Sequence, residues 1–89
     1  MAFDKSKLAL LAQGNGFGLW AYSTTDTQAT VNTAGYFNAA AGYLNVGDVI
    51  IANVDIASAR AVYMFWVNAN AGGVVDVTDG LALGTTDTD

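Results

Sequence analysis

The chain contains no cysteine, no proline and no histidine, and its eight acidic residues are all aspartate. Without cysteine there is neither a disulfide staple nor a thiolate metal site. Without histidine the commonest general base is missing, and with no glutamate either, any carboxylate pair must be drawn from the aspartates alone. Cations are almost as scarce. Lys5, Lys7 and Arg60 stand against a net charge of −5, so no basic stripe exists to displace counterions from a phosphate backbone, and nucleic acid is not an expected partner. No apolar run approaches the ~20 residues of a membrane span. The Leu8–Ala12 run that follows Lys5 and Lys7 is also shorter than the h-region of a signal peptide. No membrane partner is expected.

What the chain has instead is apolar side chain: 53% of its 89 residues are hydrophobic, and two Trp, four Tyr and four Phe are among them. A chain this short buries only about 60–65% of the surface its unfolded form exposes. So much apolar material, in a domain with no covalent staple, predicts a homo-oligomer or an obligate partner that covers the surplus.

Residues 1–18 read as an N-terminal arm or short helical turn closed by the Gly-rich turn Gly14-Asn15-Gly16-Phe17-Gly18. Residues 19–84 read as one compact β-rich domain, and 85–89 as a mobile acidic tail. Within the domain, four strands are expected: 19–24 from its alternation, 49–54 from its β-branched content, 60–69 as a long extended apolar segment and 74–78 as the returning strand of a hairpin. The third is apolar on both faces, with Tyr63, Phe65 and Val67 opposite Val62, Met64 and Trp66. Asn70-Ala71-Gly72-Gly73 is a hairpin turn signal. Asp26 is a candidate N-cap for a helix over 27–34 ended by Gly35, and Asn38 for a second over 39–44. The fold class is therefore mainly β, a β-rich α+β domain: a small antiparallel sheet or barrel with one or two short helices.

Little in this inventory points to chemistry. Asp48, after Gly47 at the start of a strand, suits a carboxylate that accepts backbone N–H bonds. Asp76 and Asp79 lie on opposite faces of extended chain and form no EF-hand loop. The glycine cluster at 14–18 lacks the preceding strand, the lysine and the long helix of a phosphate loop. Ser6, flanked by Lys5 and Lys7, has no other base beside it. No catalytic residue, metal site or cofactor is expected, and the protein is not expected to be an enzyme. The aromatics Tyr63, Phe65 and Trp66 suit either a core with a subunit interface or a carbohydrate platform; their aliphatic neighbours favour the former. Arg60 opens the same strand as a candidate anchor to a partner.

The order Trp20-Ala21-Tyr22-Ser23, Asp26, Ala29-Thr30-Val31, Ala34-Gly35-Tyr36-Phe37-Asn38, Leu44 and Val46-Gly47-Asp48-Val49-Ile50 resembles a small domain of tailed-bacteriophage virion proteins, found alone or at the end of head-fibre and decoration proteins. The resemblance implies a capsid decoration (cement) protein, assembled in the host cytoplasm and bound to the outer surface of the head. It also implies a homo-oligomer, a trimer above all, with the major capsid protein as partner. On that reading Phe3, Lys5, Lys7, Leu8 and Leu11 bind the capsid, and Arg60, Tyr63, Phe65, Trp66 and Val67 form the subunit interface. The alternative is a fibre tip that binds a receptor or carbohydrate.

Overall fold

The computed structural model describes residues 3–14 and 16–84. Six strands, β1 (Ala9–Gly14), β2 (Phe17–Ser23), β3 (Val49–Val54), β4 (Ala61–Ala71), β5 (Val74–Val77) and β6 (Leu81–Ala82), form one open mixed sheet. Its order is β1-β2-β3-β4-β5, and β6 lies beside β4. The β-rich class and all four predicted strands are present. One pairing departs from an all-antiparallel sheet, because β2 and β3 run parallel, Leu19 beside Val49 and Ser23 beside Asn53.

Parallel neighbours cannot be joined by a tight turn. The link from Thr24 to Asp48 therefore crosses one face of the sheet. It holds a single-turn helix α1 (Gln28–Val31) and a 3₁₀ turn at Asn38–Ala40, and it contributes Val31, Phe37, Ala40 and Leu44 to the core. The sheet contributes alternate residues from one face: Tyr22 on β2, Ile50, Ala52 and Val54 on β3, Phe65 and Val67 on β4, and Val75 and Val77 on β5. Strand β3, buried at every second position, is the clearest product of period-two patterning.

Both helices are shorter than the sequence predicts. Thr27, not Asp26, caps α1, its hydroxyl accepting from the Thr30 N–H at 3.4 Å. The β-branched Thr30, Val31 and Thr33 limit its extent. Asn38 caps no helix either. Its Oδ1 accepts from the Val75 N–H at 2.8 Å, while the Gly35 N–H donates to the Val75 carbonyl at 2.8 Å, so the crossover is clipped to β5.

The N-terminal segment is not an arm. A 3₁₀ turn, Lys5–Lys7, is capped by Asp4, and β1 follows and pairs antiparallel with β2. Phe3 sits among Tyr22, Tyr36 and Phe37 with ring centroids 5.2–6.0 Å away. An aromatic at position 3 gains more from that pocket than from solvent. The predicted tail at 85–89 lies outside the described residues.

The hairpin turn is as tight as the sequence predicts: Ala71 pairs with Val74, leaving Gly72 and Gly73 as a two-residue loop with φ +62° and +81°. Both angles are positive, as a type I′ turn requires. Within β4 the pairing with β5 shifts between Val67 and Ala69. This bulge re-aims the strand, so Asn70 joins the inner face. Its amide donates to the carbonyls of Ala41 (2.9 Å) and Leu44 (2.6 Å), a second clip on the crossover. Replacing Asn70 by Ala strands two carbonyls under the crossover and is expected to cost about 1–3 kcal/mol in urea unfolding. Asn68→Ala, at the exposed bulge, should stay within about 0.5 kcal/mol.

Candidate functional site

The polar interior is occupied by two carboxylates, each committed to local bonds. Asp48, 1% exposed, accepts from the Gly18 N–H at 2.8 Å, the Trp20 Nε1–H at 3.0 Å and the Asn45 N–H at 3.0 Å. Its own backbone extends the β3–β4 ladder, its carbonyl accepting from the Val67 N–H at 2.9 Å. Asp26 ends a relay that starts at the N-terminus. The Asp4 N–H donates to the Tyr22 hydroxyl (3.1 Å), and the Tyr36 hydroxyl donates to Asp26 Oδ2 (2.6 Å). A phenol has one proton to give. The 2.9 Å contact between Tyr22 and Tyr36 therefore runs from Tyr22 to Tyr36.

Asp26 Oδ1 is closed off from solvent and has no hydrogen-bond partner among the described residues. Beside Asp26, a cleft of about 210 Å³ is lined by Asp4, Lys7, Ser23, Thr24, Thr25 and Ile56. The Asp4 carboxylate is already held by the Ser6 hydroxyl (2.7 Å) and the Ser6 N–H (3.0 Å), which keep it below the usual carboxylate range. Among the described residues no three acids or other ligand types cluster as a metal site would need.

The larger feature is the other face of the sheet. Register places its side chains in rows across the strands. One row runs Ala12, Leu19, Val49, Trp66, and the next Ala9, Ala21, Ile51, Met64, Leu81. Phe17, opposite Gly14, adds to the face one row beyond the first, at the β1–β2 turn. None of these residues belongs to the core or packs against it, and both the crossover and the 3₁₀ turn at Lys5–Lys7 lie on the opposite side. Trp66 and Phe17 are half exposed and Leu81 is 66% exposed. Among the described residues this apolar sheet face has no covering layer, which is unusual in a small globular domain. Next to it, β1 forms an open edge. All six of its residues are exposed, none is charged, and Leu10 and Leu11 project from it.

The residues expected at interfaces divide accordingly. Of the expected subunit set, Phe65 and Val67 are fully buried and Tyr63 packs against the core; they build the domain itself. Trp66 alone faces outward on the bare face, while Arg60 is exposed in the turn before β4. Of the expected capsid set, Phe3 and Leu8 pack on the core. Lys5 lies over the Tyr43 ring, 5.6 Å from its centroid, and donates to its hydroxyl at 3.4 Å. Lys7 lines the cleft, and Leu11 is 58% exposed at the β1 edge. Sequence reasoning missed Leu19, Val49, Ile51 and Leu81 as surface residues. The two-sided apolarity of residues 60–69 was the available signal, but only register shows which side stays bare.

Comparison of the chain with protein-family models, with curated proteins and with solved structures finds no match.

Asp48→Asn keeps the shape but turns an NH₂ toward at least one N–H donor. Hydrogen bonds to a charged group contribute ~1.5–3 kcal/mol each, so a loss of at least about 3 kcal/mol is expected in urea unfolding. Tyr36 supplies a pH dependence. Burial, then its bonds to Asp26 and Tyr22, push its phenol well above the ordinary tyrosine value of 10.0. Its contribution is complete below that value and falls as pH rises above it, because the unfolded phenol ionises first. Denaturant titrations should therefore show stability declining above pH ~10, and the decline should be shallower in Tyr36→Phe.

Proposed function

We propose that the protein is a non-catalytic building block of a larger assembly, a decoration subunit on the outer face of a tailed-bacteriophage head. The observation that carries the building-block role is the bare apolar sheet face, which a free monomer would leave in water. Two further features support it. The buried carboxylates are tied into hydrogen bonds that hold the fold, and the rows through Leu19 and Ile51 on the bare face carry no charged side chain. The phage head as setting rests on the sequence resemblance of residues 18–54.

Attachment to the major capsid protein fits the β1 side. An uncharged strand edge offers free N–H and C=O groups to another chain's strand, and Leu10 and Leu11 add apolar contact. Lys5 and Lys7, in the turn just before β1, are two of the three cations of an acidic chain, and they would orient this side toward an acidic shell. A fibre tip that binds carbohydrate would use Trp66 and Phe17 as stacking platforms instead.

Co-sedimentation of the purified protein with undecorated tailed-phage heads, taken before and after shell expansion, tests the proposal. Saturable binding that raises the heat resistance of the heads is expected, and Leu11→Asp should weaken it at least tenfold. Absence of binding at every stage of maturation overturns the decoration role. Binding to glycans on an array, with none to heads, favours the fibre tip.

A further inference from the structure

We infer that the bare sheet face binds the same face of a second copy, closing a two-sheet sandwich about a twofold axis. This deepens the building-block reading by naming the partner of that face, and it rests on that reading only for the need to cover the face, not for the phage head.

Three observations favour a second copy as the occupant. The first is electrostatic. The chain carries a net charge of −5, yet the rows through Leu19 and Ile51 contain no charged residue. Asp26 and Asp48 are buried toward the opposite side, and Asp4, Asp55 and Asp79 lie in turns. Asp76, between the core residues Val75 and Val77 on β5, is on this side but at the sheet's corner, outside both rows. With a twofold axis along β3, each Asp76 lies toward the uncharged β1 side of the other copy and not toward its counterpart, so the two acidic molecules meet with their charges held apart.

The second is relief. Ala9, Ala12 and Ala21 keep β1 and the middle of β2 low, with Leu19 and Phe17 rising only toward one end of β2, whereas Met64, Trp66 and Leu81 make the β4–β6 half high. With β3 central, a twofold axis near Ile51 lays the high half of each copy on the low half of the other. The shape is thus complementary to itself, and sheets stacked this way sit ~10 Å apart with strands within ~30° of alignment.

The third is area. The four strands β1–β4, ~4.8 Å apart and each presenting about six residues at ~3.3 Å per residue, offer roughly 400 Å² in projection per copy. Doubled and roughened by side chains, this reaches the ~1,000 Å² that a specific interface needs. One flat face mates with one other, so the contact is twofold rather than the threefold contact that the sequence resemblance implies.

Sedimentation of the full chain at micromolar concentration should show a dimer, and Ile51→Lys should weaken dimerisation at least ~100-fold, since each copy would place an unpaired ammonium in the contact. Val46→Lys, exposed on the crossover side, should leave it unchanged. Because the chain has no cysteine, Ile51→Cys gives a second readout that does not depend on tolerance of a charge. Close to the axis it should oxidise to a covalent dimer, as inter-sheet cysteines can, while Val46→Cys stays monomeric on denaturing gels. A wild-type monomer or trimer, or an Ile51→Cys protein that does not cross-link, overturns the pairing. A monomer that still coats heads would do so without touching the decoration role, and a dimer that binds no heads would support the pairing while removing that role.

Discussion

Two adjacent strands that run the same way force the chain between them over the sheet. In this protein that constraint falls on β2 and β3, and most of the architecture follows from it. Among the described residues the crossover from Thr24 to Asp48, joined by Phe3 and Leu8, packs on one face of the sheet, so the core lies on that side only. Phe37 and Leu44 descend from the crossover, Tyr22, Ile50 and Phe65 rise to meet them, and no described residue is laid over the apolar residues of the opposite face. A second crossover on the other side would have closed the molecule.

A crossover with only one short helix has few backbone bonds of its own, and it is held down by side chains. Asn38 and Gly35 pin it to β5, Asn70 pins it to β4 through the bulge, and Asp48 ends it by gathering the N–H groups of Gly18, Asn45 and Trp20. The two tyrosines and Asp26 do the same where it begins, and they tie in Asp4. Each clip satisfies a polar group that would otherwise be buried unpaired, at a cost comparable to a lost hydrogen bond. In a domain with no disulfide these side chains occupy the place of covalent staples. Aspartate and asparagine suit the work because a short side chain reaches backbone N–H groups without filling the core.

The strands were legible in the sequence because alternation and β-branched content are local signals. Val49–Val54 has the bounds that its β-branched content predicts, and Gly72-Gly73 forms the predicted turn. Parallel pairing of β2 and β3 was not legible, since the intervening residues read equally well as two helices and a loop. Asp26 and Asn38 illustrate a related ambiguity. Both have the chemistry of helix caps, and both spend it on partners distant in sequence, Tyr36 and Val75. The N-terminal segment misled for a different reason: Phe3 and Leu8 find their apolar partners only once β2 and the crossover are in place, so in isolation they look like free contact residues. The expected interface set divides for the same reason, because period two says that Phe65 and Trp66 face oppositely but not which of them meets the core.

The division of labour between faces has a consequence for specificity. An acidic surface disfavours indiscriminate self-association, while a neutral apolar face invites it. Keeping that face free of charge except for Asp76 at its β5 corner leaves one orientation in which two copies can approach closely, and a twofold contact of this kind closes on itself and does not propagate. The uncharged edge of β1 is the remaining hazard, since a free strand edge can template further pairing. Two features restrain it. The bulge between Leu10 and Ala12 breaks its register, and the cations of the preceding turn would repel a second edge presented in the same way. An edge that discourages its own kind yet retains free backbone groups and two exposed leucines is better matched to a different, acidic chain. Self-association and attachment can thus use separate surfaces on a domain of 89 residues whose single core needs only one side of its sheet.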